Sequence, residues 1–164
     1  QYDMRPADLA ATVHRAVDIV SSSQEVQDKT LDLALSEVLP AVEHDPDAIA
    51  QCVINLVSNA AKYSDSNGWI GIRCRVLQRA VEITVSDKGI GIAPQDLKNI
   101  FEPFFRSEDK SARLRKGTGI GLTITRYIME AHGGQVSVQS RPGVGSTFTL
   151  RFPCSPGDEN PRYS

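Results

Sequence analysis

The chain has 164 residues, 40% of them hydrophobic and 23% charged, with 18 basic and 20 acidic side chains that leave a formal charge of −2. That is the length of one ordinary domain, able to bury a core without disulfides or a structural metal and too apolar for a disordered chain. A charge so close to zero offers no general field for nucleic acid or an anionic membrane, so any bound anion must be held by a local arrangement.

In chain order, Leu9, Val13, Ala16, Val17 and Val20 form a helical stripe, and Leu31, Leu33 and Leu35 alternate with polar residues as in a strand. Residues 47–62 read as a second helix with Ile49, Cys52, Val53, Leu56, Val57 and Ala60 inward, Asp45 as cap and Pro46 in the first turn. Strands over 69–77 and 80–86 joined at Gln78-Arg79 predict an antiparallel hairpin. A third helix over 120–131 ends at Gly133-Gly134, and strands over 135–140 and 146–152 flank a Pro142-Gly143-Val144-Gly145 turn. The prediction is an α/β (α+β) two-layer sandwich, a mixed and mainly antiparallel sheet covered on one face by three helices. Residues 1–154 read as one domain and 155–164, with no apolar pattern, as a flexible tail.

Residues 92–118 fit no element firmly apart from a short helix expected after Pro94, and a connection of that length inside a compact domain points to a functional lid. The three cysteines, Cys52, Cys74 and Cys154, are odd in number with no CxxC pair, which favours a reducing compartment over a disulfide scaffold or a zinc site. No apolar run approaches the ~18 residues of a membrane span. The opening Gln-Tyr-Asp-Met-Arg is no secretory signal, and we expect a cytoplasmic piece of a longer protein, whose parent can be a membrane-bound sensor.

Nine of the twelve glycines lie between Gly89 and Gly145, where they permit positive φ and close approach of backbone to a ligand. Gly117-Thr118-Gly119-Ile120-Gly121-Leu122 opens the third helix, an arrangement of N–H groups suited to phosphate or, alone, merely a flexible turn. It is neither a P-loop nor the dinucleotide fingerprint, since Leu122 stands where the last glycine would be. Asp87-Lys88-Gly89-Ile90-Gly91 ends a strand. An ionised carboxylate there accepts hydrogen bonds only, which selects adenine's exocyclic amine over guanine's carbonyl, although a simple turn is the plainer alternative. Asn55, Asn59 and Lys62 fall near one helical face with Tyr63 after them. Amide oxygens suit Mg²⁺, an ammonium suits phosphate, and a solvated polar face is the alternative.

In this order and spacing the motifs resemble the ATP-binding catalytic domain of sensor histidine kinases, in the gyrase–chaperone–histidine kinase–MutL superfamily (the Bergerat fold). The N box is matched by residues 55–64, the first glycine box by 87–91, the F box by 101–105, and the second and third glycine boxes by 117–122 and 143–147, so that the likeness spans roughly 3–153. The resemblance implies ATP and Mg²⁺ as cofactors. It places Asp87 on the adenine amine, supported by Thr147, with Gly89, Gly91 and Ile92 nearby and Tyr63 on the base. Asn59 coordinates Mg²⁺ with Asn55 as a second contributor, and Lys62 reaches phosphate. Residues 92–118 form the ATP lid, with Gly117, Thr118, Gly119, Ile120, Gly121 and Leu122 at the phosphates and Phe101, Phe104 and Phe105 packing the lid or a partner helix. Of the five basic residues between Arg106 and Lys116, these two rank first as phosphate clamps.

ATP-hydrolysing members of the superfamily carry a glutamate at position 55 as general base. Asn55 cannot accept that proton, which favours a kinase over an ATP-driven conformational switch or a non-catalytic nucleotide-binding module. None of His14, His44 and His132 fits the family's phosphoacceptor pattern of His, then Asp or Glu, with Pro five residues after the His. The implied partners are therefore a histidine-bearing dimerisation domain of the same parent and a response regulator receiver domain, with no nucleic acid and no direct membrane contact.

Overall fold

The computed structural model describes residues 1–36, 38–65, 67–108, 112 and 119–154. The strands are β1 (Arg5–Ala7), β2 (Thr30–Leu35), β3 (Val42–His44), β4 (Trp69–Leu77), β5 (Ala80–Asp87), β6 (Gln135–Arg141) and β7 (Gly145–Pro153); the helices are α1 (Leu9–Ser21), α2 (Pro46–Tyr63) and α3 (Gly121–Ala131).

Each helix follows from its apolar spacing and its ends. In α1 the residues Leu9, Val13, Ala16, Val17 and Val20 are all buried, and the Asp8 carboxylate caps the helix by accepting from the Ala10 N–H at 2.9 Å. In α2 the Asp45 carboxylate accepts from the Asp47 and Ala48 N–H groups, and Pro46 sits in the first turn, where no N–H partner is required. Its buried stripe includes Ile49, Cys52, Val53, Leu56, Val57 and Ala60, which leaves the side bearing Asn55, Asn59 and Lys62 out of the core. Helix α3 stops where Gly133 turns left-handed at φ 69° and the Gly134 N–H reaches back to the Met129 carbonyl at 2.9 Å.

Five strands form one sheet in the order β2-β4-β5-β7-β6, with β2 parallel to β4 and every other pair antiparallel. Alternate residues (Ile70, Ile72 and Cys74; Val81, Ile83 and Val85; Phe148, Leu150 and Phe152) join the helical stripes in a single core. The residues between them face away from the helices. There Glu82 bridges Arg75 at 2.9 Å and Arg151 at 3.1 Å, across β4, β5 and β7. The same alternation puts Asp87 at the end of the inward series of β5. In register, Asp87 pairs with Ser146 and Ser86 with Thr147.

The structure departs from the sequence reading in two places. Strands β1 and β3 pair antiparallel as a separate ribbon; three-residue strands are too short to show a period. After Pro94 there is no helix but a run of turns, closed by Asp96 N–H to Ala93 O at 2.9 Å, Asn99 N–H to Asp96 O at 2.8 Å and Glu102 N–H to Asn99 O at 3.0 Å. Bonds of i→i+3 type satisfy the backbone there without committing it to an α-helix.

Candidate functional site

A cavity of about 670 Å³ opens between α2, the start of α3, the end of β5, the β6–β7 turn and residues 90–107, a size typical of ligand pockets. At its inner end lies Asp87, 9% exposed, whose Oδ1 accepts from the Gly89 N–H at 2.9 Å. Burial pushes its carboxyl above the usual carboxylate range, while the Gly89 and Ser146 N–H groups pull it back. A carboxylate at the end of a core strand, kept out of water and facing a cavity, is costly unless a donor meets it there.

The wall opposite is the polar side of α2, with Asn55, Ser58, Asn59, Lys62 and Tyr63. The Asn55 amide is held at both ends. Its Oδ1 accepts from Gln51 Nε2 at 2.8 Å and its Nδ2 donates to the Gly121 carbonyl at 3.3 Å, which ties α2 to the start of α3. No hydrogen bond among the described residues engages the Asn59 amide. The Lys62 ammonium lies 4.9 Å from the centroid of the Tyr63 ring. Helix α3 begins without a side-chain cap, and Gly121 and Leu122 line the cavity, so the positive end of the helix dipole is available to an anion.

The F box divides three ways. Phe101 packs edge-on against Phe148 at 6.4 Å and 83°, Phe105 lines the cavity, and Phe104 is 71% exposed with φ 61°. The Phe104 N–H donates to the Gly119 carbonyl at 3.1 Å, anchoring one edge of the cavity. Arg106 and Ser107 follow along the same wall, and the Ser107 hydroxyl donates to Asp96 at 2.5 Å.

Of the residues singled out from sequence, Asn55, Asn59, Lys62, Tyr63, Asp87, Gly91, Ile92, Arg106, Gly119, Gly121 and Leu122 line this one cavity. Gly89, Ile120 and Thr147 do not. A Cβ on Gly89 would meet the Tyr63 carbonyl oxygen at 2.1 Å, so this glycine lets the end of β5 press against the end of α2. Ile120 is the backbone N-cap of α3. Thr147 points to the outer face, where its hydroxyl meets that of Ser86 at 2.9 Å. The position beside Asp87 belongs to Ser146, which the alternation of Phe148, Leu150 and Phe152 would have put on the inner face. Lys116, Gly117, Thr118 and the tail 155–164 lie outside the described residues. Sequence reasoning also missed Glu25, Ser58 and Phe148 in the lining; Glu25 sits in an irregular connection with no pattern to mark it.

The histidines His44 and His132 serve the scaffold. His44 is fully buried, with Nδ1 2.7 Å from the Val42 carbonyl and Nε2 2.9 Å from the Thr12 hydroxyl. His132 Nε2 accepts from the Asp45 N–H at 3.0 Å while Nδ1 lies 2.7 Å from the Ile128 carbonyl, joining the end of α3 to the cap of α2. Among the described residues no helix is long and apolar enough to cross a membrane.

An open α/β sandwich with a buried carboxylate at one end of the cavity and amides, a lysine and an uncapped helix start at the other is a nucleotide-binding domain. The chain belongs to the histidine kinase-, DNA gyrase B- and HSP90-like ATPase family, whose model matches residues 44–156. It is 32% identical over 159 residues to the sensor histidine kinase ZraS of Escherichia coli (strain K12), covering 97% of this chain and 33% of that protein; it thus spans about a third of that curated relative. The catalytic domain of histidine kinase ThkA superposes with a TM-score of 0.79 at 26% identity, covering 94% of this chain and 99% of that one. ThkA has also been solved in complex with the response regulator protein TrrA, there with a TM-score of 0.76 at 26% identity over 95% of this chain and 43% of that one. Full-length ShkA in complex with AMPPNP gives 0.79 at 25% identity, over 93% of this chain and 31% of that one.

Proposed function

We propose that this chain holds Mg·ATP in the cavity as the catalytic unit of a sensor histidine kinase. It presents the γ-phosphoryl group to a histidine on a separate helical dimerisation domain of the same parent, from which the group passes to an aspartate of a response regulator. The observation that carries the reading is the buried Asp87 carboxylate set across one cavity from Asn59, Lys62 and the start of α3. The AMPPNP bound to ShkA and the response regulator bound to ThkA support it.

Asp87 accepts the adenine amine, and Ser146 takes the supporting position expected of Thr147. Tyr63 bounds the base, and Lys62, Arg106 and the first N–H groups of α3 stabilise the phosphates. No group of three or more His, Cys, Asp or Glu able to hold a metal occurs among the described residues. The amide oxygen of Asn59 nevertheless fits Mg²⁺, which keeps its waters and relies on the nucleotide's own phosphates, and that of Asn55 has one lone pair left for it beside the bond from Gln51. Bound Mg²⁺ would neutralise charge on the β- and γ-oxygens. A carboxamide is too weak a base to draw a proton from water, so with Asn55 at this position the triphosphate is kept for an imported nucleophile. In this reading the domain works in the cytoplasm.

The test is calorimetric titration with ATP and GTP, each with and without Mg²⁺, beside a phosphate-release assay and a transfer assay with a histidine-bearing partner domain. Adenine-selective, Mg²⁺-assisted binding with negligible release and transfer to the partner is the expected result. Steady release without a partner would replace the kinase with an ATPase switch.

A further inference from the structure

The base end of the cavity and the wall that begins at Ile92 are joined through a side chain that lines neither. Ser140, on β6, lies behind Ser146. Its Oγ accepts from the Ile92 N–H at 2.8 Å, lies 2.7 Å from Ser146 Oγ, and lies 3.0 Å from the Gly145 carbonyl oxygen. Around it the backbones of 87–92 and 140–146 are pressed together. The Gly143 N–H donates to the Ile90 carbonyl at 2.8 Å, a Cβ on Gly91 (φ 72°) would lie 2.2 Å from the Arg141 carbonyl oxygen, and one on Gly145 would lie 2.0 Å from that of Asp87. Ser146 lines the cavity and its N–H bears on the Asp87 carboxylate, while Ile92 opens the wall that runs on to Phe105 and Arg106.

A hydroxyl has one proton to give and can accept twice. With Ile92 donating, Ser140 gives its proton either to the Gly145 carbonyl or to Ser146 Oγ. In the first case Ser146 donates to Ser140; in the second the Ser146 proton is free for the cavity. A ligand that engages the Ser146 hydroxyl therefore selects between two arrangements of the group that holds the Ile92 N–H.

We propose that Ser140 is a positioning residue that couples occupancy of the base end of the cavity to residues 92–108. This rests on the nucleotide reading above and goes beyond it by assigning the transmitting group. Ser140 touches no ligand itself, so its loss should weaken the coupling more than it weakens recognition of the base.

The experiment is amide hydrogen exchange on the whole chain, with no ligand, with adenosine and with ADP, together with calorimetric affinities for both. In Ser140→Ala the Ile92 amide should exchange about fivefold faster without ligand, the size of one lost hydrogen bond. The additional protection that ADP gives across 92–108 should fall by about half or more, with adenosine affinity changed by less than about threefold. Ser140→Thr, which keeps the hydroxyl on a side chain suited to a strand, should restore both readouts. Ser137→Ala, at an exposed position of the same strand, should behave as the unmodified chain. Unchanged Ile92 exchange in Ser140→Ala overturns the proposal. So does fast Ile92 exchange with full ADP-dependent protection retained, because Ser140 would then be a static brace. If the unmodified chain binds neither ADP nor adenosine, the nucleotide reading fails and this proposal with it; binding by the unmodified chain with no Ser140 effect defeats the coupling alone.

Discussion

Replacing Asp87 by asparagine removes one charge and reverses one hydrogen-bonding direction without changing shape. In the structure Oδ1 is committed to the Gly89 N–H at 2.9 Å. The asparagine carbonyl would take that position and turn the amide NH₂ toward the cavity, where adenine also presents a donor. A hydrogen bond to a charged acceptor contributes about 1.5–3 kcal/mol, so its loss weakens ATP binding roughly tenfold to 150-fold. The GTP:ATP affinity ratio should rise, because guanine presents an acceptor to the new donor. Stability should move the other way. The folded-state pKa of Asp87 is raised by burial above the ordinary value of 3.8, so between those two values the folded chain binds more protons than the unfolded one. Stability contributed by this group is thus complete below 3.8 and declines as pH rises through the folded value. At neutral pH the ionised carboxylate burdens the fold, and Asp87→Asn should not lower the unfolding midpoint in the absence of nucleotide. Calorimetric titration with ATP and GTP and urea unfolding of the same samples would check both parts. Unchanged ATP affinity in a folded Asp87→Asn protein would refute the assignment, and lost affinity with a collapsed midpoint would reduce it to a folding defect.

Asn59→Ala should abolish the Mg²⁺ dependence of ATP binding while leaving a weaker Mg²⁺-independent affinity; titrations with and without the metal would show this, and a retained dependence would move the metal elsewhere. Glu82→Ala should cost about 1–2 kcal/mol in urea unfolding by leaving Arg75 and Arg151 without their shared carboxylate, yet leave ATP affinity unchanged because this cluster faces away from the helices. His44 has its pKa lowered below 6.5, first by burial and less by His132 and Arg5, against the opposing Val42 carbonyl and Asp45. In the interval below 6.5 the unfolded chain therefore binds more protons, and stability should fall as pH falls through it. Urea midpoints at about pH 7.5 and about 5.5 should separate, and His44→Gln should narrow the separation; an equal separation in that variant would remove His44 from the account.

The sequence made the layers legible because their periods are long. Thirteen residues of α1 and eighteen of α2 repeat their apolar spacing often enough to exclude a strand, and the hairpin at Gln78-Arg79 fixes the pairing of β4 with β5. The β1–β3 ribbon was hidden because its strands are shorter than one detectable repeat. That Asn59 and Asp87 line one cavity is legible in the same way, because a helical face and a strand end fix their positions. Motif position alone does not tell which face of a strand Thr147 occupies; the register of β5 with β7 does, and it sets Ser146 opposite Asp87 and Thr147 opposite Ser86. Gly89 permits the close approach of the Tyr63 carbonyl, a task that leaves the same mark in a sequence as a ligand-binding glycine.

The cavity has two unlike halves, and the difference bears on how it can work. On one side Asn55 and Asn59 stand on a helix whose neighbouring residues Cys52, Val53, Leu56 and Val57 are all 1% exposed or less, and Asp87 ends a strand paired on both sides. These groups cannot shift without disturbing the core, a rigidity that suits the proposed recognition of a base and a metal. On the other side, residues 92–108 form no helix or strand. They are joined to the rest through Ile92 on Ser140, Phe101 on Phe148 and on the Thr123 hydroxyl, Glu102 on Arg126 and Phe104 on Gly119. Segments without helix or strand ladders open at lower free energy than the core. On the proposed reading, ligand recognition would fall to the sheet and α2 and ligand-dependent rearrangement to 92–108, whose Ile92 amide is held by a serine one hydroxyl away from Ser146.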